Sequence, residues 1–228
     1  RYILPLEMPL FMRAVEMEEN PTAKDYFLVA LFTGARKTNV LQMRWEQIDW
    51  HNKTWRIPDT KNGDPLVLPL TGEAVKVLEI RLKLVHGSPW VFPSDTSKSG
   101  YYNDPKKAWN RVRQRATIML WQQTEVFAAL IEEVDTAIKS QNNYVFSTLK
   151  LFNAVLKEAE TRGIELPTGL MDIRLHDIRR TFGSYQAMTG ASLQMIGKSL
   201  GHKSQQSTEV YARLHNDPVK ASMEKATD

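Results

Sequence analysis

The 228-residue sequence contains no cysteine, so disulfide bonds and thiolate metal sites are excluded. It also contains no apolar run long enough to cross a membrane, and no signal peptide is recognisable. These absences predict a protein of the reducing cytoplasm with no membrane partner. Because the chain begins at Arg1 and not at a methionine, we expect it to be a piece of a longer protein.

Several catalytic signatures are missing as well. There is no glycine-rich phosphate-binding loop and no Gly-x-Ser-x-Gly nucleophile motif. The acidic residues form no cluster suited to magnesium. Five histidines are present, but their spacing is not that of zinc ligands: His51, His86, His176, His202 and His215. The sequence therefore predicts neither a metal nor another cofactor.

The composition is that of an ordinary globular protein, with 42% hydrophobic and 25% charged residues. The formal net charge is +4, which alone is a weak indication of nucleic-acid binding. Residues 118–170 contain seven acidic and four basic residues, a net charge of −3. The remaining 175 residues therefore carry +7. The basic character that favours nucleic acid belongs to the two flanks and not to the middle of the chain.

The hydrophobic pattern predicts a mainly α fold with one small antiparallel β-sheet near residues 44–70, an α+β class. The strand-like alternation involves Trp55 with Ile57, and then Leu66 with Leu68 and Leu70. Asn62-Gly63 between these runs is a strong hairpin signal. The other segments have helical spacing: residues 26–36 with a stop at Gly34, 71–85 with Thr71 near the N-cap, a short basic helix from Asp104, and three short helices after Leu175.

Residues 118–170 predict a helical hairpin. Apolar residues recur at helical spacing on both sides of the polar break KSQNN, and the second run ends at Arg162-Gly163. One hairpin can bury such apolar stripes only partly on itself. Two roles remain open at this point: extra core on its own domain, or a surface for protein contacts. Its negative charge argues against a grip on DNA.

Taken singly, the candidate functional residues have ordinary structural explanations. Arg36 can favour the end of a helix dipole, Lys61 is typical of an exposed hairpin, and His202 can be a capping residue. Tyr211 can be a half-buried aromatic residue whose hydroxyl meets water. The stretch ASLQMIGKSLGHKSQQSTEVY also resembles a DNA-reading helix-turn-helix, a motif with many false positives.

Taken in order, the motifs TGAR, a hairpin lysine, HDIRRT, LGH and VYARL resemble the tyrosine recombinase (phage-type integrase) family. The surroundings LQMRWEQID, WRIPDTKNGDPLVLPL, PWVFPS and DPKKAW match as well, as does the spacing of nine residues from His202 to Tyr211. The resemblance covers nearly the whole chain except residues 118–170. It implies a catalytic domain over residues 1–228, with an inserted helical hairpin at 118–170 and without the N-terminal core-binding domain that clamps DNA.

The resemblance implies a site-specific DNA recombinase that cuts and rejoins strands through a covalent 3′-phosphotyrosyl intermediate. Such an enzyme integrates or excises a mobile element, here a prophage or genomic island. The implied catalytic residues are Arg36, Lys61, His176, Arg179, His202 and Tyr211. In the family, the arginines and histidines contact the scissile phosphate, the tyrosine attacks it, and the hairpin lysine protonates the leaving 5′ oxygen.

The spacing of these residues suits phosphate chemistry. His176 and Arg179 lie one helical turn apart and face the same way. Arginine is always charged, and its planar fork matches a phosphate, so it can replace a metal ion. Asp177 lies on a different helical face, and we expect it to make a buried structural hydrogen bond. Arg180 is expected to contact DNA backbone or to pair with an acid.

The resemblance also implies partners: double-stranded DNA, other copies of the chain in a tetramer on DNA, and accessory DNA-bending factors. The expected location is the bacterial cytoplasm, at the nucleoid when DNA is bound. Asn39 departs from the pattern, because many family members carry an acidic residue there, and we interpret it as a variant that retains activity. Two alternatives stay open: a type IB topoisomerase, and a non-catalytic helix-turn-helix module.

Overall fold

A computed structural model describes residues 1–58, 65–140, 147–215 and 223 of the chain. The described part is mainly helical with one three-stranded antiparallel sheet, which confirms the predicted fold class. Contacts between residues divide the chain into two compact units. The helical unit contains residues 1, 3–24 and 104–173, and the sheet unit contains residues 2, 25–103 and 174–228.

The secondary structure largely follows the hydrophobic pattern. In chain order the helices are α1 (Met8–Glu16), α2 (Pro21–Thr33), α3 (Lys37–Leu41), α4 (Gly72–Leu84), α5 (Lys106–Trp121), α6 (Glu125–Lys139), α7 (Thr148–Thr161), α8 (Asp177–Met188), α9 (Leu193–Leu200) and α10 (Gln206–Glu209). The strands are β1 (Ile48–Asp49), β2 (Thr54–Ile57) and β3 (Leu66–Pro69). Short 3-10 turns cover Trp45–Gln47, Gly169–Asp172 and Ala212–His215.

The sheet has the order β1-β2-β3, with Trp55 opposite Leu68 in the antiparallel pair of β2 and β3. Both side chains are buried, as their alternation predicts. The turn predicted at Asn62-Gly63 lies outside the described residues, and so does Lys61. The predicted cap of α4 is confirmed, because the Thr71 hydroxyl accepts a hydrogen bond from the Ala74 backbone N–H at 3.3 Å.

In the helical unit, α5 is longer than the short basic helix that the sequence indicates. It continues through Ile118 to Trp121, so the start of the segment 118–170 lies inside a helix. The Trp121 ring stacks on Phe152 of α7 with ring centroids 5.3 Å apart, and its indole N–H donates to the Pro167 carbonyl at 2.7 Å. The apolar end of α5 therefore joins α6 and α7 in one core.

The apolar stripes of α6 and α7 are buried in this same core. Its buried members are Ile118, Trp121, Leu130, Ile131, Val134, Phe152, Val155 and Ala159. Of the two roles that the sequence leaves open for residues 118–170, this packing fits the role of extra core. Some of the charged residues on the outer faces form ion pairs. Arg162 contacts both Glu133 and Glu158, at 2.6 and 2.7 Å.

In the sheet unit, α8 packs against α9, and α9 packs against α10. A small core of Ala187, Ile196, Leu200 and Tyr211 lies between these helices. The three helices of this region were all predicted from the sequence, although α10 is a single turn. Within residues 1–58, 65–140 and 147–215, no helix is both long enough and apolar enough to span a membrane.

Candidate functional site

The first turn of α8 presents two of the predicted site residues, His176 and Arg179. His176 is the residue before the helix and is exposed, whereas Arg179 is only 7% exposed. The buried Asp177 carboxylate accepts a hydrogen bond from the Arg174 backbone N–H at 2.8 Å, which confirms the structural role expected for it. Its other oxygen pairs with Arg180 at 3.4 Å, so Arg180 takes the acid-pairing alternative. These bonds fix the start of the helix and the direction of its side chains.

The guanidinium of Arg179 is held by two backbone carbonyls from distant parts of the chain. Nη1 donates to the Gly34 oxygen at 2.7 Å, and Nη2 donates to the Leu200 oxygen. Burial, together with the charge of the nearby Arg36, lowers the pKa of Arg179 to about 10, whereas Tyr211 opposes the change. A pKa of about 10 still leaves the group charged at neutral pH. The side chain is therefore a buried cation whose partners are neutral.

Gly34 allows this arrangement because it has a left-handed backbone, with φ +60°. A Cβ at this position would lie 2.2 Å from Cδ1 of Phe182, a side chain of α8. Only glycine therefore allows α2 to end directly against α8. The predicted helix stop at Gly34 is confirmed. The contact with Phe182 explains why glycine is needed there, which the sequence alone does not show.

Arg36 follows two residues later, in an extended conformation just before α3. Its Nη2 approaches the Gly201 carbonyl oxygen at 3.5 Å, and the side chain is half-exposed. Arg36 and Arg179 lie close enough for their like charges to interact. Among the described residues, neither forms a salt bridge with a carboxylate. Two positive charges thus converge without a negative partner, which is the electrostatic condition of an anion-binding site.

His202 lies at the end of α9, where Gly201 has a left-handed conformation with φ +60°. Burial, together with the positive charges of Arg179 and Arg36, lowers the pKa of His202 to about 4. The ring is therefore neutral at neutral pH. Its Nδ1 lies 2.9 Å from the Thr208 hydroxyl oxygen. A Cβ on Gly201 would lie 2.6 Å from Cδ2 of Leu66, so strand β3 packs directly on this turn.

The His176 ring lies among the same cations. Loss of solvent around the ring is the main cause that lowers its pKa, followed by the charges of Arg180 and Arg179. Asp177 acts in the opposite direction. A neutral imidazole carries one N–H donor and one acceptor nitrogen, so His176 can bind an oxygen or receive a proton.

Tyr211 completes the cluster and is only 5% exposed. Its ring lies on the backbone of Gly183, where an added Cβ would be 2.6 Å from Cζ and 2.9 Å from the hydroxyl oxygen. Gly183 is one helical turn after Arg179, so both residues lie on the same face of α8. Burial raises the pKa of Tyr211, whereas Arg179 and Arg180 lower it. The pKa of Tyr211 stays above its ordinary value, so the two arginines offset only part of the cost of forming a buried phenolate.

The structure brings together five of the six predicted site residues: Arg36, His176, Arg179, His202 and Tyr211. The sixth, Lys61, lies outside the described residues. Asn39 lines a separate polar cavity of about 270 Å³ together with Gln42, Arg44 and Trp90. Sequence reasoning missed Gly183 and Thr208, since no local pattern shows that they contact Tyr211 and His202. Among the described residues, no group of His, Asp or Glu side chains is arranged to hold a metal ion.

Sequence comparison relates this chain to integrases. The profile described as the phage integrase family matches residues 1–129 and 122–217. Prophage integrase IntF of Escherichia coli (strain K12) is 33% identical over 144 residues, which are 59% of this chain and 30% of IntF. The chain spans half or less of the length of the curated relatives it matches.

Structural comparison agrees. The catalytic domain of bacteriophage HP1 integrase matches with a TM-score of 0.51 and 17% identity, covering 98% of this chain and 93% of that one. The Tn1549 transposon integrase, solved in complex with transposon right end DNA, matches with a TM-score of 0.61 and 15% identity. It covers 100% of this chain and 66% of its own. At these identities the likeness concerns the fold.

Proposed function

Because this chain belongs to the phage integrase family, we propose that it carries the catalytic site of a site-specific DNA recombinase. Its fold is that of tyrosine recombinase catalytic domains. The substrate is double-stranded DNA, and the biological result is integration or excision of a mobile element such as a prophage or genomic island. The observation that carries the proposal is the convergence of Arg36 and Arg179 on the face of α8 where Tyr211 lies.

The two arginines bind the non-bridging oxygens of the scissile phosphate. Arg179 donates hydrogen bonds from two N–H groups to carbonyl oxygens, which fixes the plane of its guanidinium group. Its other N–H groups are left for the phosphate. As the phosphorus becomes five-coordinate, negative charge grows on these oxygens, and a preorganised cation stabilises it most at that moment. The arginines supply charge that a metal ion supplies in other phosphoryl-transfer enzymes.

Tyr211 is the nucleophile. Its phenolic oxygen forms a bond to phosphorus while the bond from phosphorus to the 5′ oxygen breaks, and the phenolic proton passes to the neutral His176 ring. The product is a 3′-phosphotyrosyl ester and a free 5′ hydroxyl. Since one phosphoester replaces another, the energy of the DNA bond is retained for rejoining, and ATP is not needed. The neutral His202 ring also donates a hydrogen bond to an oxygen of the phosphate.

Lys61 is the general acid that gives its proton to the departing 5′ oxygen. Support for this role comes from strand β3, which packs on the turn at Gly201 and so brings one strand of the hairpin beside His202. A substrate with a 5′-bridging sulfur has a better leaving group that needs little protonation. We therefore expect Lys61→Ala to lose much more activity on normal DNA than on the sulfur substrate. Equal losses on both substrates would contradict the assignment.

Recombination by a whole enzyme requires protein–protein and protein–DNA contacts in addition to this catalytic site. We propose that the active assembly is a tetramer of the full-length protein on DNA, helped by accessory DNA-bending factors. Since the chain spans half or less of its curated relatives, contacts that clamp the DNA can lie elsewhere in the full-length protein. We expect the 228 residues alone to bind DNA weakly, with an affinity that falls steeply with salt because phosphate contacts dominate.

A nicked suicide substrate tests the proposal most directly. Cleavage releases a short strand that diffuses away, so the covalent protein–DNA adduct accumulates and appears as a slow band in denaturing electrophoresis. We expect an adduct with the original chain and none with Tyr211→Phe, while DNA binding stays nearly the same. The Phe ring keeps the packing on Gly183, so the change removes only the nucleophilic oxygen.

Each result of this assay has a distinct meaning. An adduct that survives in Tyr211→Phe would overturn the choice of nucleophile. Relaxation of supercoiled DNA without site preference would indicate a type IB topoisomerase. Binding without any adduct from the original chain would indicate a non-catalytic DNA-binding module.

A further inference from the structure

The hydroxyl of Thr208 is enclosed beside the His202 ring. Thr208 is 2% exposed and lies in the single turn of α10. Its Oγ1 is 2.9 Å from Nδ1 of His202, and it lies 3.2 Å from the place where a Cβ on Gly197 would be. The absence of a side chain on Gly197 therefore leaves the space in α9 that Thr208 fills. The hydroxyl is shielded from water and has the imidazole as its neighbour.

Either the Thr208 hydroxyl or the His202 ring can be the donor in this hydrogen bond. The choice depends on which arrangement leaves a buried proton without an acceptor. The ring is neutral at neutral pH, because burial and the two arginines lower its pKa to about 4. Either the hydroxyl donates to Nδ1 and the ring proton is on Nε2, or Nδ1–H donates to the hydroxyl oxygen. Among the side chains that the structure describes, the His202 ring is the one partner of the Thr208 hydroxyl. The second arrangement would therefore leave a buried O–H without an acceptor, which costs stability.

We propose that Thr208 is a positioning residue that holds His202 in the tautomer with its proton on Nε2. The inference rests on the proposed function, since the Nε2–H group then serves as a donor to an oxygen of the scissile phosphate. In the opposite tautomer, Nε2 would present a lone pair to that oxygen, and the two would repel each other. The hydroxyl thus decides whether the ring attracts or repels the phosphate.

Thr208 also supports Tyr211, which follows about one turn later in the chain. Its backbone carbonyl accepts a hydrogen bond from the Tyr211 N–H at 3.0 Å. The side chain of Thr208 orients the histidine while its main chain supports the turn that leads to the tyrosine. A substitution that keeps the backbone and changes only the side chain therefore separates the two effects.

Nitrogen NMR on the ¹⁵N-labelled 228-residue chain, without DNA, tests the tautomer. Long-range ¹H–¹⁵N correlations distinguish a protonated from an unprotonated ring nitrogen, and His202→Gln identifies the His202 signals by their loss. We expect Nε2 to be the protonated nitrogen in the original chain and in Thr208→Ser. In Thr208→Val, which has a similar size and no hydroxyl, we expect a mixture of the two tautomers. Protonation at Nδ1 in the original chain would overturn the proposal, whether or not the Val variant folds.

The suicide substrate then tests whether the tautomer matters. Loss of one net hydrogen bond predicts about tenfold slower adduct formation for Thr208→Val, and Thr208→Ser should recover most of the rate. A Thr208→Val chain with mixed tautomers and an unchanged rate would overturn the positioning role. If the original chain has its proton on Nε2 but forms no adduct, the proposed recombinase function fails while the tautomer assignment stands.

Discussion

Arg179 in the sheet unit and Arg162 in the helical unit each bond through more than one guanidinium nitrogen, but the partners differ. Arg162 is exposed and contacts the carboxylates of Glu133 and Glu158, so its charge is neutralised locally. Arg179 is buried and donates to two carbonyl oxygens, which orient the group without cancelling its charge. The comparison teaches that the carbonyl acceptors of Arg179 leave its charge available to an external anion, whereas the carboxylate partners of Arg162 neutralise its charge at the surface.

The largest difference between the two arginines should appear on substitution by lysine. Arg179→Lys loses the planar fork and cannot keep both carbonyl bonds while it binds the phosphate. We expect the rate of adduct formation to fall by roughly 10²–10³, the usual cost of one preorganised donor. The matched control is Arg162→Lys, which should leave the rate unchanged. Single-turnover rates on the suicide substrate measure this difference. An equal loss of activity in Arg179→Lys and Arg162→Lys would contradict the prediction.

A smaller effect is expected from moving Tyr211, the proposed nucleophile, without changing any charge. Gly183→Ala places a methyl group against the Tyr211 ring, which must then move from its present position. We expect about a tenfold loss in adduct formation, which corresponds to about 1.4 kcal/mol and lies at the lower end of the usual cost of overpacking. Gly72→Ala at the exposed start of α4 is the control, because a Cβ there meets no atom within 4 Å. Similar rates for the two variants would show that the close packing at Gly183 is unimportant.

Acid should destabilise the two regions in different pH ranges. His202 has a folded-state pKa of about 4, below the ordinary 6.5, so between these values the unfolded chain binds a proton that the folded chain does not. Stability is therefore lost as pH falls from 6.5 toward 4. Arg162 lowers the pKa of Glu133 below 4.5, so its contribution to stability is lost only below that value.

Thermal unfolding between pH 7 and pH 5 can separate these two contributions. His202→Gln should flatten the fall in Tm relative to the original chain, although the lowered pKa of His176 leaves part of the slope. Glu133→Gln should change nothing in this range. Parallel curves for the original chain and His202→Gln would show that the histidine is not held neutral.

The smallest effect on catalysis should come from the core of the hairpin. Phe152→Ala removes a buried ring that stacks on Trp121, and we expect a loss of about 3–5 kcal/mol in the free energy of unfolding. The rate of adduct formation per folded molecule should stay the same, because the core around Phe152 lies in the helical unit. Denaturant titration and active-site titration together measure the two quantities. A slower rate in the folded fraction would give the hairpin a role in the reaction.

The sequence predicts those parts of the molecule that depend on neighbours along the chain. Helical spacing locates α6 and α7, and alternation locates β2 and β3, because each pattern repeats within a few residues. His176 and Arg179 share one turn of α8, so their common direction also follows from local geometry. The helix α1 and the continuation of α5 to Trp121 were not predicted, since the burial of their apolar residues depends on distant partners.

The remaining features of the site come from contacts between residues far apart in the sequence. Phe182 against Gly34, Leu66 against Gly201 and Tyr211 against Gly183 are close approaches, and no local pattern marks them. Likewise, the burial that lowers the pKa of His202 depends on the complete fold. The motifs therefore name five residues that the fold brings together, whereas the contacts that support each of them could not be predicted.

The two carbonyl bonds of Arg179 also set an order of events during protein synthesis. Gly34 is made early and lies 145 residues before Arg179, and Leu200 is made 21 residues after it. In a chain that is still on the ribosome, Arg36 is present long before Leu200, whose carbonyl group is the second acceptor for the Arg179 guanidinium. The proposed phosphate-binding geometry is thus absent from every nascent chain that lacks Leu200, and it forms only when α9 has folded onto α8.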